Sequence, residues 1–344
     1  MSTFHKEIEY YFLQPFFSDK VKIDIKNLEK QNYFFNLSKE FQLSGYLLNS
    51  IDFSESTIAL KEKLVKLSNN YLKKILLMKY ETLKIGNMFD KNNIEYVILK
   101  GMAMELKEID AHRQFRDLDI LIKQKDLKKA YKLLRGSGYA YFNSSANDSI
   151  KYIRDMHHLP PMVNDARIIV ELHYRITKAS IYESCPLTEH AFSEREIYDG
   201  IGVPSDRVML AHILYHGILH HELKFGPYFL LDVKNILLKN SDTNKSINNL
   251  LKKMGLSDAY EEVKLILGKC NNKKNLDSML LNEFHSLFNG KDLFSTKADD
   301  QNNKKSLSRL IKYIKYNSYY YQLPYSSPKL IFIILKKLLK KIHF

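Results

Sequence analysis

The chain has 344 residues, of which 45% are hydrophobic and 27% charged, a balance that fits a globular protein and excludes a disordered one. Two cysteines, Cys185 and Cys270, rule out a disulfide framework. Lys+Arg 53 against Asp+Glu 39 leave a net charge of +14. That field attracts polyanions such as nucleotides, RNA or an anionic membrane face, although a lysine-rich composition alone would produce it too. The length exceeds a single core, so two or three packed units are expected. With only 12 glycines and 8 prolines, helices are favoured over an all-β fold. The first residues, Met1 to Glu7, lack the apolar core of a signal peptide, and no apolar run is long enough to span a bilayer. A cytoplasmic location is the expectation.

Residues 1–90 read as helical, with apolar side chains recurring from Ile58 through Leu64, Ile75 and Met88 until Asp90-Lys91-Asn92-Asn93 breaks the pattern. The period then changes. Ile94 to Leu99 is a short β-type run ending at Gly101, residues 102–108 make a helical turn, and Asp117 to Ile122 is a second strand. Lys125 to Arg135 is an amphipathic helix closed by Gly136-Ser137-Gly138, and Tyr139 to Phe142 is a third strand. Leu159–Val163 and Arg167–Ile176 read as a hairpin turning at Asn164-Asp165-Ala166. Residues 180 to about 290 return to helical spacing, with a start at Ser205-Asp206-Arg207, apolar residues from Val208 to Leu219, and a second helix from Tyr228 to Leu238. Residues 291–306 are polar. The segment from Pro328 to Phe344 mixes apolar residues with five lysines; it reads as a terminal helix docked on the core or as a basic helix lying on an anionic membrane.

The chemistry concentrates in Arg116-Asp117-Leu118-Asp119-Ile120-Leu121-Ile122. Alternate strand residues share a face, so Asp117 and Asp119 project together from apolar surroundings. Two like charges there become tolerable when a divalent cation neutralises them, and oxygen ligands of this kind suit Mg²⁺, with Mn²⁺ as a substitute. Two-metal phosphoryl transfer usually needs a third carboxylate. Glu171, alone in the apolar run Ile168 to Leu172, is the candidate; the alternative is a lysine-paired acid on a solvated face. Lys100-Gly101, one strand upstream, suits a phosphate turn: the glycine permits close backbone approach and Lys100 adds charge against the β- and γ-phosphates. Arg113 and Arg116 offer guanidinium forks for triphosphate oxygens, with a local salt bridge as the alternative for Arg116. His173 shares the face of Glu171 and either touches a phosphate, orients Glu171, or is a partly buried histidine bonded to backbone. His157 and His158 precede the hairpin. His212, His216 and His220 recur every four residues, beside His221 and Glu222. Zinc fits this stripe poorly, because one helix rarely surrounds an ion; a cleft lining with His216 facing nucleotide or acceptor fits better.

Taken together, Leu99-Lys100-Gly101, Arg116 to Leu121, Gly136-Ser137-Gly138-Tyr139 and Val170-Glu171-Leu172-His173-Tyr174 resemble the nucleotidyltransferase (DNA polymerase β-like) superfamily, and within it the uncharacterised nucleotidyltransferases. The resemblance covers about residues 55–240. It implies metal ligation by Asp117, Asp119 and Glu171, a nucleotide-phosphate turn at Lys100 and Gly101, and a histidine and an aspartate on successive helices, matching Asp232. Asp232 pairing with Lys234 is the alternative. The superfamily usually has Gly-Ser at the turn; here it is Gly101-Met102, so one hydroxyl ligand is missing.

The expected fold is α+β, a small mixed sheet carrying the site between helical segments. The regions are a helical stretch (1–90), the catalytic core (91–180), a C-terminal helical domain (181–290), and a polar linker with a basic amphipathic helix (291–344). The expected activity is transfer of a nucleoside monophosphate from an NTP to a hydroxyl or phosphate acceptor, using two Mg²⁺ ions and releasing pyrophosphate. The contrasting reading is a non-enzymatic RNA- or polyanion-binding protein whose Asp pair is structural. A membrane-surface enzyme anchored by 328–344 is a third.

Overall fold

A computed structural model describes residues 7–8, 11–16, 20–109, 114–142, 157–177, 186–220, 228–240 and 246–271. Arg113, His221, Glu222, the polar stretch 291–306 and the basic segment 328–344 lie outside the described residues.

The N-terminal region holds β1 (Val21–Ile23), α1 (Leu28–Glu40), α2 (Ser44–Ser50), β2 (Ile51–Phe53) and the long α3 (Ile58–Lys91). The Asn27 side chain caps α1 by accepting from the Lys30 N–H at 3.1 Å. Periodicity predicted only helix here. Instead β1 and β2 pair in parallel, Val21 opposite Ile51 and Ile23 opposite Phe53. Strands of three residues are too short to impose an alternation that can be read against helical spacing.

The central unit runs β3 (Tyr96–Ile98), α4 (Lys100–Leu106), β4 (Asp117–Ile122), α5 (Leu127–Gly136), β5 (Ala140–Tyr141), β6 (Met162–Val163) and β7 (Ile169–His173). Its five strands lie in the order β3-β4-β7-β6-β5. β4 and β7 are parallel, and every other pairing is antiparallel. This is the mixed sheet of an α+β protein, as the sequence leads one to expect. After Asp117, every residue of β4 is buried, which explains why all of them but Asp119 are apolar: the strand is covered on both faces. The hairpin of β6 and β7 forms with shorter arms than predicted. Asn164 closes the turn, its side chain accepting from the Ile168 N–H at 2.9 Å.

The C-terminal part contains α6 (Pro186–Ser193), β8 (Arg195–Tyr198), β9 (Ile201–Pro204), α7 (Asp206–Leu214), α8 (Tyr228–Lys239), α9 (Asn248–Met254) and α10 (Ser257–Asn271). The β8–β9 hairpin corrects the all-helical expectation for this region. Its two-residue turn, Asp199-Gly200, has φ of 51° and 78°. Positive φ at both positions is what a type I′ turn demands, and Asp-Gly meets it at little strain. α7 continues into a π-helical turn at Tyr215–His220, so the expected histidine stripe does not run straight along one α-helical face.

Buried side chains form one contiguous core from Ile8 to Val263. Lys107, just after α4, knits its parts together. Its ammonium is 1% exposed, lies 2.9 Å from Glu196 on β8, pairs with Asp206 at the start of α7, and donates to the Pro204 carbonyl at 3.3 Å. Among the described residues, no helix is long and apolar enough to cross a membrane.

Lys107→Met should lower unfolding stability by about 3 kcal/mol, because two acids then lose the buried cation that offsets them. Urea denaturation checks this; an unchanged midpoint would show the ion cluster to be dispensable.

Candidate active site

The site follows from strand alternation plus one register. Asp117 and Asp119 share a face of β4, and Glu171 and His173 share a face of β7. Parallel pairing sets Asp119 directly beside Glu171, Asp117 beside Ile169 and Leu121 beside His173. A ligand atom from each of Asp119, Glu171 and His173 lies within 4.8 Å of the other two. The His173 Nε2 is 2.8 Å from Asp119 Oδ1 and 3.4 Å from Glu171 Oε2. A lone β-bridge joins His158 to His173, which carries His158 onto the same cluster, its Nε2 3.9 Å from Glu171 Oε2.

Lys100 enters from the other side. The Leu99 N–H donates to the Asp119 carbonyl at 2.9 Å, and the chain then turns through a φ of 52° at Lys100 into α4. This delivers the Lys100 Nζ to 2.7 Å from Asp119 Oδ1. Gly101 is also explained by packing. A Cβ there would sit 2.5 Å from Phe115 Cγ, so only glycine lets α4 close onto Phe115. A cavity of about 460 Å³ opens beside this turn, walled by α2, α3 and α4 and reaching Ser68, Tyr71, Glu105, Gln114 and Phe115.

The two aspartates have opposite electrostatics. Burial pushes the Asp117 carboxyl up to about 6, and the neighbouring Asp119 and Glu171 charges push the same way. Burial also acts against ionised Asp119, but Lys100 and His173 outweigh it and hold that carboxyl far below the usual range. Glu171 is lowered as well, its hydrogen bond from His173 overcoming burial. His173 is raised despite burial by its two acid partners, and Lys100 is raised despite burial by Asp119 and Asp117.

Lys100, Asp117, Asp119, Glu171 and His173 therefore converge. Arg116 is exposed at the rim, its Nε donating to the Gln42 carboxamide oxygen at 3.2 Å when that amide faces both of its neighbours correctly. His216 sits on the π-helical turn, its ring 5.9 Å from that of buried His212. Asp232 is buried on α8, which packs against α7. Two residues of the cluster escaped sequence reasoning. Lys74 on α3 donates to the Arg116 carbonyl at 3.2 Å and lies close enough to Asp117 to feel its charge; nothing sets it apart from the other lysines of that helix. His158 had a usable signal: it precedes a strand that pairs with the one carrying Glu171 and His173.

The family described as uncharacterised nucleotidyltransferase matches residues 28–269, most of the chain. The chain belongs to this family. A comparison with curated protein sequences returns no match. Among solved structures, a similar one is the solution structure of the antibiotic-resistance factor ANT(2'')-Ia. It is 9% identical, the alignment spans 58% of this nucleotidyltransferase family member and 97% of that chain, and the TM-score is 0.36.

Asp117→Asn should stabilise the metal-free protein at neutral pH by about 1–3 kcal/mol, since the folded state raises this carboxyl from 3.8 to about 6 and so disfavours its charge. The folded state binds the proton more tightly, so wild-type stability falls as pH rises through that interval. The advantage of Asn is therefore full above about pH 6 and vanishes below about pH 4. Thermal melts across that range decide it; an equal difference at all pH values would contradict the assignment.

Proposed function

We propose that this protein transfers a nucleoside monophosphate from an NTP to a hydroxyl or phosphate acceptor with release of pyrophosphate. The observation that carries the reading is the side-by-side placement of Asp119 and Glu171 on parallel strands, with Asp117 next along. Family membership supports the reaction class.

The donors fit a divalent cation. Three carboxylates share one face, and Asp119, 2% exposed, is compensated among the described residues by Lys100 and His173. Asp117, Asp119 and Glu171 would hold the ions, Mg²⁺ or Mn²⁺. When bound, the ions neutralise the triphosphate and the charge that develops at the reacting phosphorus.

The protein's own groups have separable tasks. Lys100 and His173 balance Asp119 in the resting site, which keeps the acids gathered. Lys100, now 2.7 Å from Asp119 Oδ1, would exchange that carboxylate for a phosphate bound over the aspartates. His173, donating to Asp119 and reaching Glu171, fixes the angle between the two acids. Arg116 and Lys74 add positive charge beside Asp117, which would attract the leaving pyrophosphate. Glu171, beside Asp119 on the neighbouring strand, would orient the attacking oxygen of the acceptor. The cavity beside Gly101 offers room for part of a substrate.

Incubation with each radiolabelled NTP, a divalent ion and cell extract should give a labelled acceptor. Asp119→Ala or Glu171→Ala should lower the rate by at least about 10²-fold, as expected when charge stabilisation at the reacting centre is lost. Undiminished ion-dependent labelling by the double mutant would refute the reading.

A further inference from the structure

The hydrogen bonds around the histidines distinguish two imidazoles that look equivalent in the cluster. The His173 Nε2 is 2.8 Å from a carboxylate oxygen, which can only accept, so this nitrogen carries its proton and donates. Its Nδ1 is buried and has no hydrogen-bond partner among the described residues. For His173 to give Nε2 to a cation, it would have to break this bond and shed that proton, and its buried Nδ1 offers the proton no acceptor among the described residues. His173 is thus a donor to the acids and a poor ligand.

His158 has the opposite arrangement. Its Nδ1 lies 2.6 Å from the Leu159 carbonyl oxygen, another obligate acceptor, so Nδ1 carries the proton. The Nε2 of the neutral ring is therefore a bare lone pair, and it faces Glu171 Oε2, a second acceptor, at 3.9 Å. No proton of either group lies between them. Carbonyl-anchored Nδ1–H with a free Nε2 is the form in which histidine binds metals, because the backbone bond fixes both tautomer and ring direction. The position is also held rigidly: the Leu159 N–H donates to the Leu172 carbonyl at 2.8 Å, and the Tyr174 N–H donates to the His157 carbonyl at 3.1 Å. The ring is braced against those of His157 and His173, with centroids 4.6 and 5.0 Å away.

We propose that His158 is a nitrogen ligand, through Nε2, of a divalent cation shared with Glu171, and that the site consequently favours a transition ion such as Mn²⁺ or Zn²⁺ over Mg²⁺. Imidazole nitrogen suits the first-row ions, whereas Mg²⁺ is served by oxygens. This rests on the reading of the carboxylates as a cation site.

The test uses the full chain and Mn²⁺ as the probe. Mn²⁺ binding is followed by electron paramagnetic resonance, with and without nucleotide, and pulsed measurements detect nitrogen coupled to the bound ion. Wild type should show an imidazole nitrogen coupling that shifts when histidine is labelled with heavy nitrogen, a result that needs no variant. The coupling should vanish in His158→Gln, with Mn²⁺ affinity falling roughly tenfold or more and Mg²⁺ affinity, read by competition, falling less. It should persist in His173→Gln. Bound Mn²⁺ without nitrogen coupling, or coupling that survives in folded His158→Gln, overturns the proposal and leaves the carboxylate site standing. Failure of wild type to bind Mn²⁺ under either condition overturns the cation reading itself, and this proposal with it.

Discussion

The parallel register between β4 and β7 is the constraint on which the site depends. Side chains on a strand alternate, so a slip of one residue would send Glu171 to the opposite face and separate it from Asp119. Burial of Leu118, Ile120, Val170 and Leu172 beneath the same two strands makes such a slip expensive. The apolar residues fix the pairing, and the acids between them inherit their positions.

That geometry creates an electrostatic problem, solved unevenly. Asp119 is neutralised within the protein by Lys100 and His173, whereas Asp117 bears the repulsion of its neighbours at partial burial. The acid with the least internal compensation is also less deeply buried than Asp119, and an incoming cation would relieve it most. Stability is given up at the position where function would recover it.

The strands of the candidate site were readable because their signals are local. Asp-Leu-Asp inside an apolar run, an isolated glutamate in another, and Lys-Gly after a β-type segment each announce themselves within a few residues. What escaped depends on pairing. β1 and β2 exist because α1 and α2 bring two three-residue segments together. The β8–β9 hairpin carried a clear turn signal in Asp199-Gly200, but the helical pattern on either side drowned it. His158 was visible as a residue and not as a participant, since its place beside Glu171 comes from a bridge to His173 rather than from spacing. Gly101 shows the reverse lesson. A glycine that suits a phosphate turn is also required by Phe115, which packs against it from just before β4.

The neighbours β4 and β7 are separated in the chain by everything from Lys123 to Ile168. Strands so far apart in sequence meet only after a large loop has closed, which places their pairing among the slower events of folding. During synthesis, Asp117 and Asp119 leave the ribosome well before Glu171 is available. Until then β4 can pair only with β3, on the side away from Glu171, and a chain interrupted before Ile169 retains the aspartate motif without the geometry that gives it meaning.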